Sequence, residues 1–170
     1  KLFAVSKEHS NTLKADETAQ MTFCLDGLVT NASAITFSSS NPDVASVSLQ
    51  GIITAGNAGT ATITCTAEGA EPVICNVTVN KTTPVITIPE INAITYSPDQ
   101  TLADVILPEG WTWDNASITP TVDNAGYPAT YTPSNTNKYE VTQTTLSITV
   151  NKGTPKFEIP EGLEAVEGNV

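Results

Sequence analysis

Between residues 38 and 79 apolar and polar side chains alternate in short bursts, each closed by turn-forming residues. Ser40-Asn41-Pro42-Asp43 reads as a turn, because proline presets φ and Asn or Asp caps the bend. Val44, Ser46 and Ser48 then alternate with Ala45, Val47 and Leu49, the period of two that marks a half-buried strand. Gly51 ends that strand, Ile52-Ile53-Thr54 restarts it, and Gly56-Asn57-Ala58-Gly59 interrupts it again. Two longer strands follow at 60–66 and 73–79. Their inward sets are Ala61, Ile63 and Cys65 on one, and Val73, Cys75, Val77 and Val79 on the other. Upstream, strands are predicted at 2–6, 19–25 and 34–38, with a polar connection through Glu8-His9-Ser10-Asn11 and a turn at Asp26-Gly27. No window carries a sustained i, i+3, i+4, i+7 apolar pattern, so a helical fold is excluded.

At residue 81 the texture changes. The segment KTTPVITIPE at 81–90 returns as KGTPKFEIPE at 152–161, with six identities in ten at an offset of 71. Recurrence at a fixed spacing signals a tandem array. The reading is therefore three units: 1–80, 81–151, and the opening of a third over 152–170. In the second unit strands are expected at 85–88, 94–96, 102–107, 111–113, 118–122, 127–132 and 141–150. Residues 156–159 are expected to be held by contacts, either as an edge strand on the second unit or on a neighbouring molecule, since an orphan strand orders only when tied down.

The S-x-N-P-x-V-A-x-V run at 39–47, the G-x-I-T-A run at 51–55 and the G-T-A-x-I-T run at 59–64 resemble the group 2 bacterial immunoglobulin-like domain, a module found in tandem on bacterial surface proteins. The resemblance covers about residues 1–80, and Phe37 stands where that family usually has Trp. The segments TLADVILPEGWTW and ATYTPSNTNKYE are similar to a less standard Ig-like repeat of bacterial surface proteins. The resemblance implies an all-β fold of tandem immunoglobulin-like sandwiches. Seven strands in the first unit match the count of such a sandwich.

Composition narrows the function without naming it. Threonine occurs 27 times, which favours strands, and aromatic residues make up only 6% of the chain. The net charge is −11 and the seven basic residues are all Lys, so the arginine fork that reads phosphate and guanine is missing. Nucleic acid and anionic membrane are excluded as partners on that ground. No apolar run is long enough to span a bilayer as a helix. The chain reads as an excerpt of a longer secreted or surface-exposed bacterial protein.

Signatures of catalysis are missing. His9 is the one histidine, so neither a His-based metal cluster nor a Ser-His-Asp arrangement can form elsewhere. There is no G-x-S-x-G elbow, no phosphate loop and no D-x-D-x-D calcium loop. The reading is no enzyme, no cofactor and no metal.

Two constellations remain. If the hairpin joining 60–66 to 73–79 centres on Ala70, Cys65 faces Cys75 and the pair is a candidate disulfide, with two buried thiols as the alternative. Cys24 then stays free; the competing pairing, Cys24–Cys65, would mimic the inter-sheet bridge of antibodies but needs Cys24 turned inward. Trp111 and Trp113 share one face of a short strand, with Thr112 on the other, and that face is expected to turn inward toward Tyr127, Ala129 and Tyr131. The competing reading makes Trp111 and Trp113 ligand contacts on a sugar- or protein-binding platform. The function that follows is a spacer or stalk with a role in adhesion, its partners being a surface protein or glycan and the neighbouring repeats of the same chain. The alternatives are an accessory, glycan-binding region of a secreted polysaccharide-degrading enzyme, and an adhesin whose loops meet a receptor.

Overall fold

The computed structural model describes residues 8–21, 35–67 and 71–155. Its N-terminal part contains strands β1 (Glu8–Lys14), β2 (Thr18–Gln20), β3 (Ile35–Ser39), β4 (Ala45–Val47), β5 (Ile52–Ala55), β6 (Gly59–Ala67) and β7 (Val73–Asn80). Its C-terminal part contains β8 (Ile94–Thr95), β9 (Trp111–Trp113), β10 (Tyr127–Tyr131), β11 (Thr142–Leu146) and β12 (Val150–Asn151). The expected strands at 2–6 and 156–159 and residue Cys24 lie outside the described residues.

In the N-terminal part the sheet β1-β7-β6-β3 faces the sheet β2-β5-β4. The turn at 40–43 forms as its residues dictate. The amides of Val44 and Ala45 both donate to the Asn41 carbonyl, and the Ser39 hydroxyl accepts from the Asn41 amide. Alternation then sets the core. Ala61, Ile63 and Cys65 of β6, and Val73, Cys75, Val77 and Val79 of β7, point inward against Ala45, Ile53 and Ala55 of the opposite sheet. Phe37 packs against this cluster from β3. Its ring runs so close to Gly51 that a Cβ there would meet it at 2.8 Å, and Gly51 also holds a φ of +76°. Both conditions call for glycine.

In the C-terminal part the sheets are β11-β10-β9 and β12-β8. Leu102, Val105, Tyr127, Ile148 and Val150 form one buried group, and Trp111, Ala129 and Leu146 another, with Ile91 and Trp113 packed against both. The tryptophan face turns inward as the areas require. Trp111 pairs with Tyr131 and Trp113 with Ala129 across the β9–β10 ladder. The Trp111 and Tyr131 rings stand 5.2 Å apart, and Trp113 meets Tyr127 edge to face at 6.5 Å, both within the favourable range for aromatic pairs. The Trp113 indole N–H donates to the Val105 carbonyl at 3.0 Å, so the polar end of the half-buried ring is satisfied.

Several expectations are corrected. Residues 8–11 are not a connection but the start of β1, which pairs in parallel with β7 from Glu8↔Ile74 to Lys14↔Asn80. It is an edge strand, and an edge is held by main-chain bonds that polar residues make as well as apolar ones. Residues 85–88 and 118–122 join no ladder. Pro84 and Pro89 bracket the first and Pro120 sits inside the second, each removing an N–H. Residues 102–107 begin as a 3₁₀ turn, Leu102–Asp104, where the Asp104 carboxylate accepts the Thr101 amide at 2.8 Å. The expected strand over 141–150 is divided, because β11 pairs with β10 while β12 has crossed to β8.

Replacing Trp111 by Ala is expected to cost about 3–5 kcal/mol in chemical denaturation, as large core truncations do. Trp113→Phe keeps the ring but strands the Val105 carbonyl, and about 1–3 kcal/mol should be lost. An unchanged denaturation midpoint for both variants would contradict the inward placement.

Candidate functional site

The cysteine pair does not form a bridge. The β6–β7 ladder runs from Gly59↔Val79 to Cys65↔Val73, so Cys75 stands opposite Ile63 and not Cys65. The hairpin is two residues out of the register that would centre it on Ala70. Such a slip leaves every side chain on its own face, so alternation cannot distinguish the two registers. The sulfurs sit on diagonal neighbours, whose backbones are ~7–8 Å apart, beyond the ~4.4–6.8 Å a disulfide spans. Cys65 and Cys75 are free, buried thiols. Burial pushes both thiols up in pKa, which leaves little thiolate and little reactivity. Trp111 and Trp113 belong to the aromatic packing already described.

Polar side chains converge instead between the loop that joins β10 to β11 and two segments of the N-terminal sandwich, the turn after β1 and the loop before β6. On the N-terminal side Asp16 occupies a tight turn at φ +71°, a left-handed conformation that Asp tolerates better than most residues. Main-chain bonds tie that turn down on two sides. The Ala15 amide donates to Asn80 O at 3.0 Å, the Asp16 amide to Ala55 O at 3.1 Å, and the Ala55 amide to Glu17 O at 2.9 Å. The Asp16 carboxylate is thereby anchored to the ends of β5 and β7.

The opposing loop, residues 134–140, folds on itself. The Asn135 side-chain oxygen accepts the Asn137 amide at 3.1 Å, an Asx turn, and the amides of Lys138 and Tyr139 both donate to Asn135 O. This geometry presents Lys138 and Tyr139 to Asp16. Lys138 Nζ lies 2.6 Å from Asp16 Oδ1, and the Tyr139 hydroxyl donates to Asp16 Oδ2 at 3.0 Å. Next to this trio the Ala58 amide donates to Asn137 O at 2.8 Å, and the Asn135 side chain donates to the Asn57 side chain at 3.1 Å. Residue 82, two past the end of β7, donates to Lys138 O at 3.1 Å and accepts from the Glu140 amide at 3.0 Å, a parallel bridge onto Tyr139.

The electrostatics follow from the contacts. The hydrogen bond from Lys138, with Tyr139 and the lysine charge adding to it, holds the Asp16 carboxyl below its usual range. The bond to Asp16 correspondingly raises Lys138. Among the described residues no three His, Cys, Asp or Glu side chains gather into a metal-holding group. The arrangement joins two bodies; it holds no nucleophile paired with a base. Sequence reading passed over Asp16, Asn57 and Lys138. The legible signal was a lysine amid asparagines in a chain with few cations.

The family model for the bacterial Ig-like domain (group 2) matches residues 2–86. A search among curated proteins finds no match. Among solved structures, a bacterial Ig-like domain containing GH10 xylanase from termite gut aligns over 42% of this chain and 18% of its own, at 25% identity and a TM-score of 0.34. The extracellular cadherin domains 1–5 of protocadherin gamma B2 align over 89% and 39%, at 10% identity and a TM-score of 0.34. Domains 1–6 of the surface layer protein SbsC align over 78% and 23%, at 15% identity and a TM-score of 0.27. The chain thus spans less than half the length of each, and all three scores fall below the level that establishes a shared overall fold.

Two measurements check the site. Cys65 and Cys75 should react with a thiol reagent only in denaturant, and melting should not depend on reductant; a peptide carrying a Cys65–Cys75 bridge would refute this. Carboxyl NMR titration should place Asp16 below the ~3.9 of a free aspartate, with Lys138→Gln restoring it. The signs give a window. Asp16 is lowered, so its contribution is complete above its unfolded value and lost as pH falls through the folded one. Lys138 is raised, so its contribution is complete below ~10.4 and lost as pH rises beyond its folded value. The ion pair should therefore be constant between roughly pH 4 and 10, and weaken with salt because it is solvent-exposed.

Proposed function

Because the chain belongs to the group 2 bacterial immunoglobulin-like domain family, matched over residues 2–86, we propose that it is a non-catalytic spacer segment of a bacterial cell-surface or secreted protein. In this reading residues 1–80 and 81–151 are successive units, a third opens at 152, and the whole works outside the cell. No helix among the described residues is long and apolar enough to cross a membrane.

One observation carries the reading. In each sandwich the strand near the start of the unit runs parallel to the strand that ends it: β1 with β7, and β8 with β12. Parallel first and last strands bring the chain in at one end and send it out at the other, since each strand runs the same way along the sheet. Units built like this add length end to end, whereas antiparallel terminal strands would fold the array back on itself. The surface supports the role, being acidic and rich in threonine, which keeps an extended array dispersed.

X-ray scattering tests the geometry. A compact chain of this length would have a radius of gyration of about 15 Å, and an end-to-end pair should exceed it clearly. Function is tested in the parent protein by deleting residues 81–151. A spacer deletion should leave ligand binding by the purified protein intact and shorten its reach at the cell. Loss of binding in the purified protein, or binding of this chain to a glycan array, would replace the spacer reading with a binding one.

A further inference from the structure

We propose that the loop at 134–140 is a clasp that locks the two sandwiches into one rigid body, with the linker residue Thr82 as its catch. The argument begins with the linker. The chain leaves β7 at Asn80, and at residue 82 both main-chain groups are already bonded to the second sandwich, to Lys138 O and to the Glu140 amide. A hinge needs residues whose φ and ψ are free to change. Here one residue separates the last strand of the first body from the first bridge of the second.

The loop then reaches back to the first sandwich at two further places. Asn137 O takes the Ala58 amide while Asn135 meets Asn57, and Lys138 and Tyr139 together hold the Asp16 carboxylate. The attachments fall on three different segments: the turn after β1, the loop before β6, and the linker. A single exposed ion pair between two tethered bodies would be weak. Several contacts made at once by one internally bonded loop reinforce each other, because each closes at the high effective concentration the others set. Three of the bonds are main chain to main chain and depend on no rotamer.

The bond that holds the exit of the first sandwich recurs at the exit of the second. Asn80 O accepts the Ala15 amide at 3.0 Å, and Asn151 O accepts the Tyr96 amide at 2.8 Å, 71 residues further on. Thr82 acts through its main chain alone, so Gly153 at the same offset carries the same groups. A side chain at Gly153 would meet Tyr96 O at 2.6 Å, so the tighter packing there accepts only glycine.

This inference goes beyond the spacer reading, since two sandwiches of any role could be locked this way, and its failure leaves that reading to its own test. The experiment is NMR on the whole 170-residue chain in a weakly aligning medium. Residual dipolar couplings from residues 35–67 and from residues 94–150 should give alignment tensors of equal magnitude, and a coupling across the hydrogen bond from the Ala58 amide to the Asn137 carbonyl should be seen. Tensors differing in magnitude twofold or more, or the missing coupling at Ala58, would overturn the proposal. In the Asp16→Asn/Asn135→Ala/Tyr139→Phe variant, which keeps a residue tolerant of φ +71° at 16 and removes the Asx turn that sets the loop's main-chain groups in place, the tensors should part while each sandwich keeps its own chemical shifts. Tensors that stay equal there would overturn the role of the clasp. Should that variant fail to fold, the wild-type tensors alone decide.

Discussion

The parallel pairing of the opening strand with the closing strand is the constraint on which the rest of this molecule depends. Glu8–Lys14 lies along Val73–Asn80 in the same direction, and Ile94–Thr95 repeats the arrangement with Val150–Asn151. A parallel ladder cannot be closed by a tight turn, so everything between its two strands has to travel out and back. In the N-terminal unit that excursion is the facing sheet and the β3–β6 pairing. Its reward is a core closed over Ile53, Ile63 and Val77, all nearly inaccessible to water.

The pairing also decides where the ends of each sandwich meet. Because the Ala15 amide is bonded to Asn80 O, the turn bearing Asp16 sits beside the point where the chain departs for the next unit. The carboxylate is therefore delivered to the junction by backbone geometry. Its partners arrive by the same logic. The loop at 134–140 joins β10 to β11, and the Asx turn at Asn135 aims Lys138 and Tyr139 outward from that end. Neither surface needed an unusual side chain. What it needed was position.

The two sandwiches reach closure differently. Among the described residues the N-terminal one relies on aliphatic alternation along two long strands, with the Phe37 ring above Gly51. The C-terminal one has shorter strands and leans on rings, with Trp111 against Tyr131 and Trp113 against Tyr127. Short strands leave more carbonyls outside the ladder, and the Trp113 indole satisfies one of them at Val105. Aromatic packing with a polar handle thus substitutes for regular pairing.

Much of this was legible in the chain itself. The turn at Asn41-Pro42, the inward faces of β6 and β7 and the inward tryptophans follow from local chemistry, because alternation states which face a side chain takes. The Ig-like class was implied by the family resemblance of the runs at 39–47, 51–55 and 59–64. Alternation says nothing about partners. A two-residue slip preserves faces, so the separation of Cys65 from Cys75 awaited the real ladder. The polar strand β1 left no pattern, since edge pairing uses main-chain groups common to every residue. Proline-bracketed apolar runs at 85–88 and 118–122 imitated strands until the absence of a ladder showed otherwise. The contact of Asp16 with Lys138 joins residues remote in sequence, and no local preference of either one foretells it. Sequence determined what each segment buries; only the tertiary structure decided which segments meet, because that choice rests on backbone direction and distance.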